Sequence, residues 1–201
     1  MTKVSMAWDR VERILTEKHS SISLNPGAST SDTVKIAPSG FEAPSELVEM
    51  YERHDMGNPM FFFMELPFLS AKGVQGFLDL YEVNLESAPE SFFDNPSDGI
   101  FSEDFYSRKA VLIPITNGAR SNLCVESRGD TTQKEHGRVI WMDIETENLI
   151  FVSASISEYI DRCAEDLESG IYRSDEDGLH IDHCYEVSTV EYCVKRWSSE
   201  N

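Results

Sequence analysis

The chain has 201 residues with Lys+Arg 17 against Asp+Glu 36, a formal charge of −19 that repels phosphate backbones and anionic headgroups and argues against direct binding to nucleic acid or membrane surfaces. Hydrophobic residues at 40% and aromatics at 10% supply enough burial to offset ordering entropy, which excludes a disordered chain. No stretch approaches the ~20 apolar residues of a membrane span, and Met1 to Arg10 lacks a basic region followed by an apolar one, so a single cytosolic domain over 1–201 is expected.

The first element, about Met6 to Lys18, carries Trp8, Val11 and Leu15 at helical spacing and reads as an amphipathic helix. Leu24-Asn25-Pro26-Gly27-Ala28 is a turn, and Ser29 with Asp32 three residues on has the pattern of a capping box before a short second helix. Pro44 suits the first turn of a third helix, Leu47 and Tyr51 share one of its faces, and Gly57 with Asn58 is the expected stop. Met60-Phe61-Phe62-Phe63-Met64 is a short apolar run that predicts a strand at the centre of the core. Val74, Phe77, Leu78 and Tyr81 again fall at helical spacing, and a loop-like stretch from Ser87 to Asp104 follows.

Four short apolar segments come next: Val111 to Ile115, Leu123 to Glu126, Arg138 to Ile144 and Leu149 to Val152. Turn signals at Thr116-Asn117-Gly118 and Glu135-His136-Gly137 separate them, so the prediction is an antiparallel meander. Ser155 and Glu158 box the start of a helix that packs Ile156, Tyr159, Ile160, Cys163 and Leu167, with Gly170 closing it. Ser188 and Glu191 repeat that logic before Val190, Val194 and Trp197. Helices and strands at uneven intervals, with the strands in one run, give an α+β class: an antiparallel sheet with helices packed around it.

The order of these pieces resembles the SUKH superfamily, which includes fungal regulators of cell-wall synthesis and many bacterial immunity proteins that neutralise toxins delivered between cells. The likeness rests on Trp8; on Leu24-Asn25-Pro26-Gly27-Ala28-Ser29; on Pro44-Ser45-Glu46-Leu47 with Tyr51, His54 and Asp55; on Ile113-Pro114-Ile115 followed by Asn122-Leu123-Cys124-Val125; and on Gly137-Arg138-Val139-Ile140 with Phe151-Val152 and Tyr159. It covers about Trp8 to Tyr172, and 173–201 is an extension outside it. Two places depart: His54-Asp55-Met56-Gly57 stands where the family usually has His-Asp-Gly, and Arg120-Ser121 stands where Gly-Asp is common. The resemblance implies a SUKH-like scaffold with no shared catalytic residues, which presents one surface to a protein partner. For its bacterial members it implies an immunity protein that covers the active site of a cognate toxin. A basic nuclease fits the charge of this chain best. The alternative is a non-enzymatic scaffold or regulator of signalling or cell-wall synthesis.

Candidate chemistry is sparse. His180, Asp182, His183 and Cys184 cluster in sequence, but His180 and His183 face opposite ways on a strand and the paired spacing of structural zinc is missing. Neither a metal nor another cofactor is expected. His54 and Asp55 are adjacent and so do not face each other on a helix; a His bound to the last helical carbonyls is the expected arrangement. Cys124, Cys163, Cys184 and Cys193 form no CxxC pair and read as ordinary, largely buried thiols. The chain is therefore not expected to be an enzyme. For partner binding the candidates are Glu165 on the late helix, among Asp161, Asp166 and Glu168, together with Asp175, Glu176 and Asp177; Glu103-Asp104 is a further acidic pair.

Overall fold

Thr2 starts the first helix, α1 (Lys3–Lys18), by accepting the Ser5 amide proton on its hydroxyl oxygen at 3.1 Å. The computed structural model describes residues 2–57, 67–85, 110–118, 121–143, 148–175 and 178–181. Val4, Ala7, Trp8, Val11, Ile14 and Leu15 are all buried, a stripe at three- and four-residue intervals that turns one side of α1 into the core. α1 begins three residues earlier than its periodicity indicates, because the Thr2 cap lies ahead of the apolar stripe.

The second helix, α2 (Thr30–Thr33), is a single turn, and the expected capping box does not form. The Ser29 hydroxyl donates to the Asp32 carboxylate at 2.7 Å and makes no cap bond to a backbone N–H. α3 (Ser45–Arg53) has Pro44 as its N-cap rather than inside its first turn. It ends at Arg53, earlier than the Gly57 signal indicates. The turn at 25–28 packs across its last residues, where the Ala28 N–H donates to Tyr51 O at 2.8 Å and the Asp55 N–H to Pro26 O at 3.1 Å. Those long-range bonds divert the chain before glycine is reached. α4 (Ala71–Leu85) holds the expected Val74 and Leu78 buried.

Four strands form one sheet in chain order: β1 (Ala110–Pro114), β2 (Ser121–Arg128), β3 (Val139–Asp143) and β4 (Asn148–Ser153). All neighbours are antiparallel, so the meander read from the turn signals is the one observed. Representative pairs are Ile113 with Val125, Val125 with Val139, and Trp141 with Ile150; the β3–β4 register shifts between Val139 and Ile140. Ile113, Leu123, Val125, Val139, Trp141 and Val152 join the helical residues in one core. The opposite face of β1 to β3, with Leu112, Cys124, Ile140 and Met142, is also buried. Burial on both faces explains why β2 shows no alternation of polar and apolar residues.

α5 (Ile156–Ser169) starts at Ser155, whose hydroxyl accepts the Glu158 N–H at 3.2 Å while the Glu158 carboxylate accepts the Ala154 N–H at 3.1 Å. It stops at Gly170, which takes the left-handed conformation at φ 79° that glycine adopts without steric cost. A two-stranded hairpin follows, β5 (Tyr172–Asp175) and β6 (Gly178–Ile181), with Tyr172 and Leu179 buried in the core. The mixed helix and antiparallel-sheet architecture agrees with the α+β class. The apolar run Met60–Met64, the stretch Ser87–Asp104, the helix expected after Ser188, and Glu176, Asp177, Asp182, His183, Cys184 and Cys193 lie outside the described residues.

Candidate interaction surface

α1 and α5 pack side by side, and their rims meet through arginine. Arg10 on α1 reaches three carboxylates of α5: Asp161 at 3.5 Å, Glu165 at 3.9 Å and Glu168 at 2.6 Å. Their spacing along α5 lines them up on the side that faces α1. Arg13 adds a second contact to Glu168 at 2.9 Å, and Arg162 sits 3.3 Å from Glu165. The hydrogen bond from Arg10, reinforced by the charges of Arg10 and Arg13, holds the Glu168 carboxyl below the usual carboxylate range. Glu165, a candidate from sequence, is thus a half-exposed carboxylate already matched by cations. Asp166, its neighbour, is fully buried.

Asp175, the second candidate, is the last residue of β5, exposed and 3.9 Å from Arg173. It lies on a different element from Glu165, beyond the Gly170 break. Glu176 and Asp177, the remaining two candidates, join β5 to β6 in sequence and lie outside the described residues.

A different set of carboxylates was missed by reading charge runs. Asp32 on α2, Glu42 before α3, and Glu49 and Glu52 on α3 take part in no ion pair among the described residues. Hydroxyls hold three of them instead: Ser29 donates to Asp32, Thr2 to Glu49, and Thr30 to Glu52 at 3.3 Å. A hydroxyl positions a carboxylate without neutralising it. The cation that helical spacing would assign to Glu49 is Arg53, four residues on, but its guanidinium turns to α1 and binds Asp9 and Glu12, each at 2.7 Å. Val34, 66% exposed, lies next to this group at the end of α2. Only Asp32 carried a local signal, Ser29 three residues before it; the hydroxyls on Glu49 and Glu52 come from Thr2 and Thr30, 47 and 22 residues away in sequence.

The residues that carried the family resemblance act as joints. Asn25 Nδ2 donates to Asp55 O at 3.0 Å, and the Asp55 carboxylate accepts the Ala71 N–H at 2.9 Å at the start of α4. Glu46 does the same for α5, accepting from the Ser157 N–H at 2.9 Å and the Ser157 hydroxyl at 3.1 Å. Glu46 in the first turn of α3 and Asp55 just past its end therefore place carboxylates on the N-termini of two other helices, where the partial positive charge of unpaired N–H groups favours them. His54 does not bind the last carbonyls of its own helix, as expected from sequence. Its Nδ1 lies 2.8 Å from Asn25 O and its Nε2 2.8 Å from Glu12, and its ring meets Trp8 edge-on at 4.9 Å. Both nitrogens are engaged in holding α1, α3 and the 25–28 turn together.

β2 carries the most deeply buried charges. Glu126, 0% exposed, is flanked by Arg128 at 2.5 Å and by Arg138 of β3's approach at 2.6 Å, while its backbone N–H donates to Arg138 O at 2.9 Å. His136 in the intervening turn accepts the Arg128 N–H on Nδ1 at 3.1 Å, and burial pushes its pKa down. Cys124, next along the same face, has its thiol pKa pushed well up by burial, which leaves it protonated and unreactive. Cys163 is buried as well. Among the described residues no three His, Cys, Asp or Glu side chains gather as a metal site, and no helix is long and apolar enough to cross a membrane. No protein-family model matches the chain, and a search of curated proteins returns no match.

Proposed function

We propose that this chain is an immunity-type binding protein with a SUKH-like scaffold, which acts in the cytoplasm by covering the active site of a cognate toxin domain, a basic nuclease. The observation that carries the reading is the set of carboxylates without an ion pair among the described residues, Asp32, Glu42, Glu49 and Glu52, on a chain of net charge −19. A nuclease groove must be basic to hold phosphates, so an acidic surface complements it and speeds encounter at low salt. The order of turn and core motifs along 8–172 supports the scaffold assignment, and the joints built by Asn25, Glu46, His54 and Asp55 give those motifs a structural task in this chain.

The test is purification of the tagged protein from its native host, with mass spectrometry of whatever remains bound through a moderate salt wash. Recovery of a basic toxin domain at equal stoichiometry supports the proposal. Recovery of kinases or cell-wall enzymes in its place refutes it in favour of a regulatory scaffold. With the partner in hand, Glu49→Lys and Glu52→Lys are expected to weaken binding and flatten its salt dependence. The second group, Glu165, Asp175, Glu176 and Asp177, is reversed in parallel, and a larger loss there would move the interface to α5 and the hairpin.

A further inference from the structure

The imidazole of His19 closes the C-terminal end of α1. Its backbone N–H continues the helix by bonding Leu15 O at 2.9 Å, and its ring is only 7% exposed. Nδ1 lies 3.0 Å from the hydroxyl of Ser174 on β5, whereas Nε2 is buried without a hydrogen-bond partner among the described residues. This asymmetry selects the protonation state. A bare lone pair on Nε2 costs less than an unpaired N–H, so the neutral ring carries its proton on Nδ1 and donates it to Ser174. A second proton on Nε2 would find no acceptor among the described residues, and burial limits solvation of its charge.

The surroundings do not relieve that cost. Lys18, on the same helix, adds a like charge, and its ammonium donates to Glu168 O at 2.8 Å. From α5, the Glu168 carboxylate is held by Arg10 and Arg13. On β5, Arg173 and Asp175 flank Ser174, are exposed on the opposite side of the strand by alternation, and lie 3.9 Å from each other. On β6, His180 stands opposite Arg173 in the register.

We propose that His19 is a pH-sensitive latch that helps the buried Tyr172 and Leu179 hold the β5–β6 hairpin on the end of α1 and weakens that hold on acidification. The inference stands apart from the toxin-binding reading. Burial first, and Lys18 second, lower the pKa of the docked ring below the ordinary histidine value of about 6.5. The released ring, in water, takes up its proton near that value. The released state therefore binds more protons, and docking is full above about pH 6.5 and weakens as pH falls toward the docked pKa. Between those two values each pH unit costs up to about tenfold in the docking equilibrium.

Amide hydrogen exchange, corrected for the intrinsic pH dependence of the chemistry, reads this equilibrium directly. Protection of the hairpin amides within Tyr172–Asp175 and Gly178–Ile181 is expected to fall up to about tenfold per pH unit below pH 6.5 in the wild type. It is expected to stay flat in His19→Gln, which keeps a group able to bond Ser174 and cannot titrate. The difference between the two proteins separates His19 from His180. An equal slope in both would overturn the proposal. Should His19→Gln fail to dock at pH 7.5, the NMR titration of the wild-type ring decides alone: a midpoint below 6.5 is expected, and one at or above 6.5 overturns the latch.

Discussion

Gly27→Ala isolates the joint between the 25–28 turn and α3. A Cβ at Gly27 would stand 1.7 Å from the carbonyl oxygen of Glu52 and 2.5 Å from its carbon, where real Cβ contacts stay above 3.0 Å. Both offending atoms are backbone, so no side chain can swing away and the turn itself must lift off the helix. That movement stretches the Ala28–Tyr51, Asp55–Pro26 and Asn25–Asp55 hydrogen bonds, now 2.8, 3.1 and 3.0 Å. At about 1 kcal/mol net for each bond, the loss is about 2–4 kcal/mol. Reduced freedom of the unfolded chain returns about 0.4–1 kcal/mol of it. A net destabilisation of about 2–3 kcal/mol is expected, measured as a lower urea midpoint at unchanged slope. Gly76→Ala is the control: nothing lies within 4 Å of the new Cβ, and in the helical interior of α4 the change is expected to stabilise by up to about 1 kcal/mol. If Gly27→Ala falls within about 0.5 kcal/mol of wild type, the joint does not hold the turn as described.

Glu126→Ala leaves Arg128 and Arg138 without their shared carboxylate on β2 and is expected to cost about 3–5 kcal/mol in the same urea assay; a loss under about 1 kcal/mol would mean that the guanidinium charges do not depend on it. Glu46→Ala removes the carboxylate from the α5 N-terminus and is expected to cost about 1–2 kcal/mol, with faster amide exchange confined to the first turn of α5. The hydrogen bond from Arg53, then that from His54, lower the Glu12 carboxyl pKa against an opposing effect of burial. Its stabilising contribution is therefore complete above the ordinary carboxylate value of about 4.3 and lost as pH falls through the lower folded value. The stability gap between wild type and Glu12→Gln should accordingly close on acidification below about pH 4, and a gap independent of pH would refute the pairing.

The elements that were legible in sequence are those whose signal is local. Trp8, Val11 and Leu15 report the buried side of α1 because a helix repeats its neighbours within four residues, and Ser155 with Glu158 marks the start of α5 because both partners lie in one turn. The strand order followed from turns that separate neighbours. What sequence did not reveal depends on contacts across the chain. Gly57 looked like the stop of α3, yet the helix ends where Pro26 and Gly27 dock. Ser29 looked like a cap until Asp32 took its hydroxyl. Glu165 has a local cation in Arg162, three residues before it, but nothing near it in sequence announces Arg10; likewise Arg128 lies two residues from Glu126 on the same strand, whereas Arg138 reaches Glu126 only through the β2–β3 pairing. Charge runs record where acids are, not which are neutralised.

The pairing of α1 with α5 joins distant parts of the chain: the Arg10–Glu168 contact spans 158 residues. During synthesis at about 5–20 residues per second, α1 leaves the ribosome roughly 8–30 s before α5 exists. For that interval Trp8, Val11, Ile14 and Leu15 form an apolar stripe whose partner helix has not been translated. Docking of α1 against α5 is thus a late event, although α1 is made well before its partner helix.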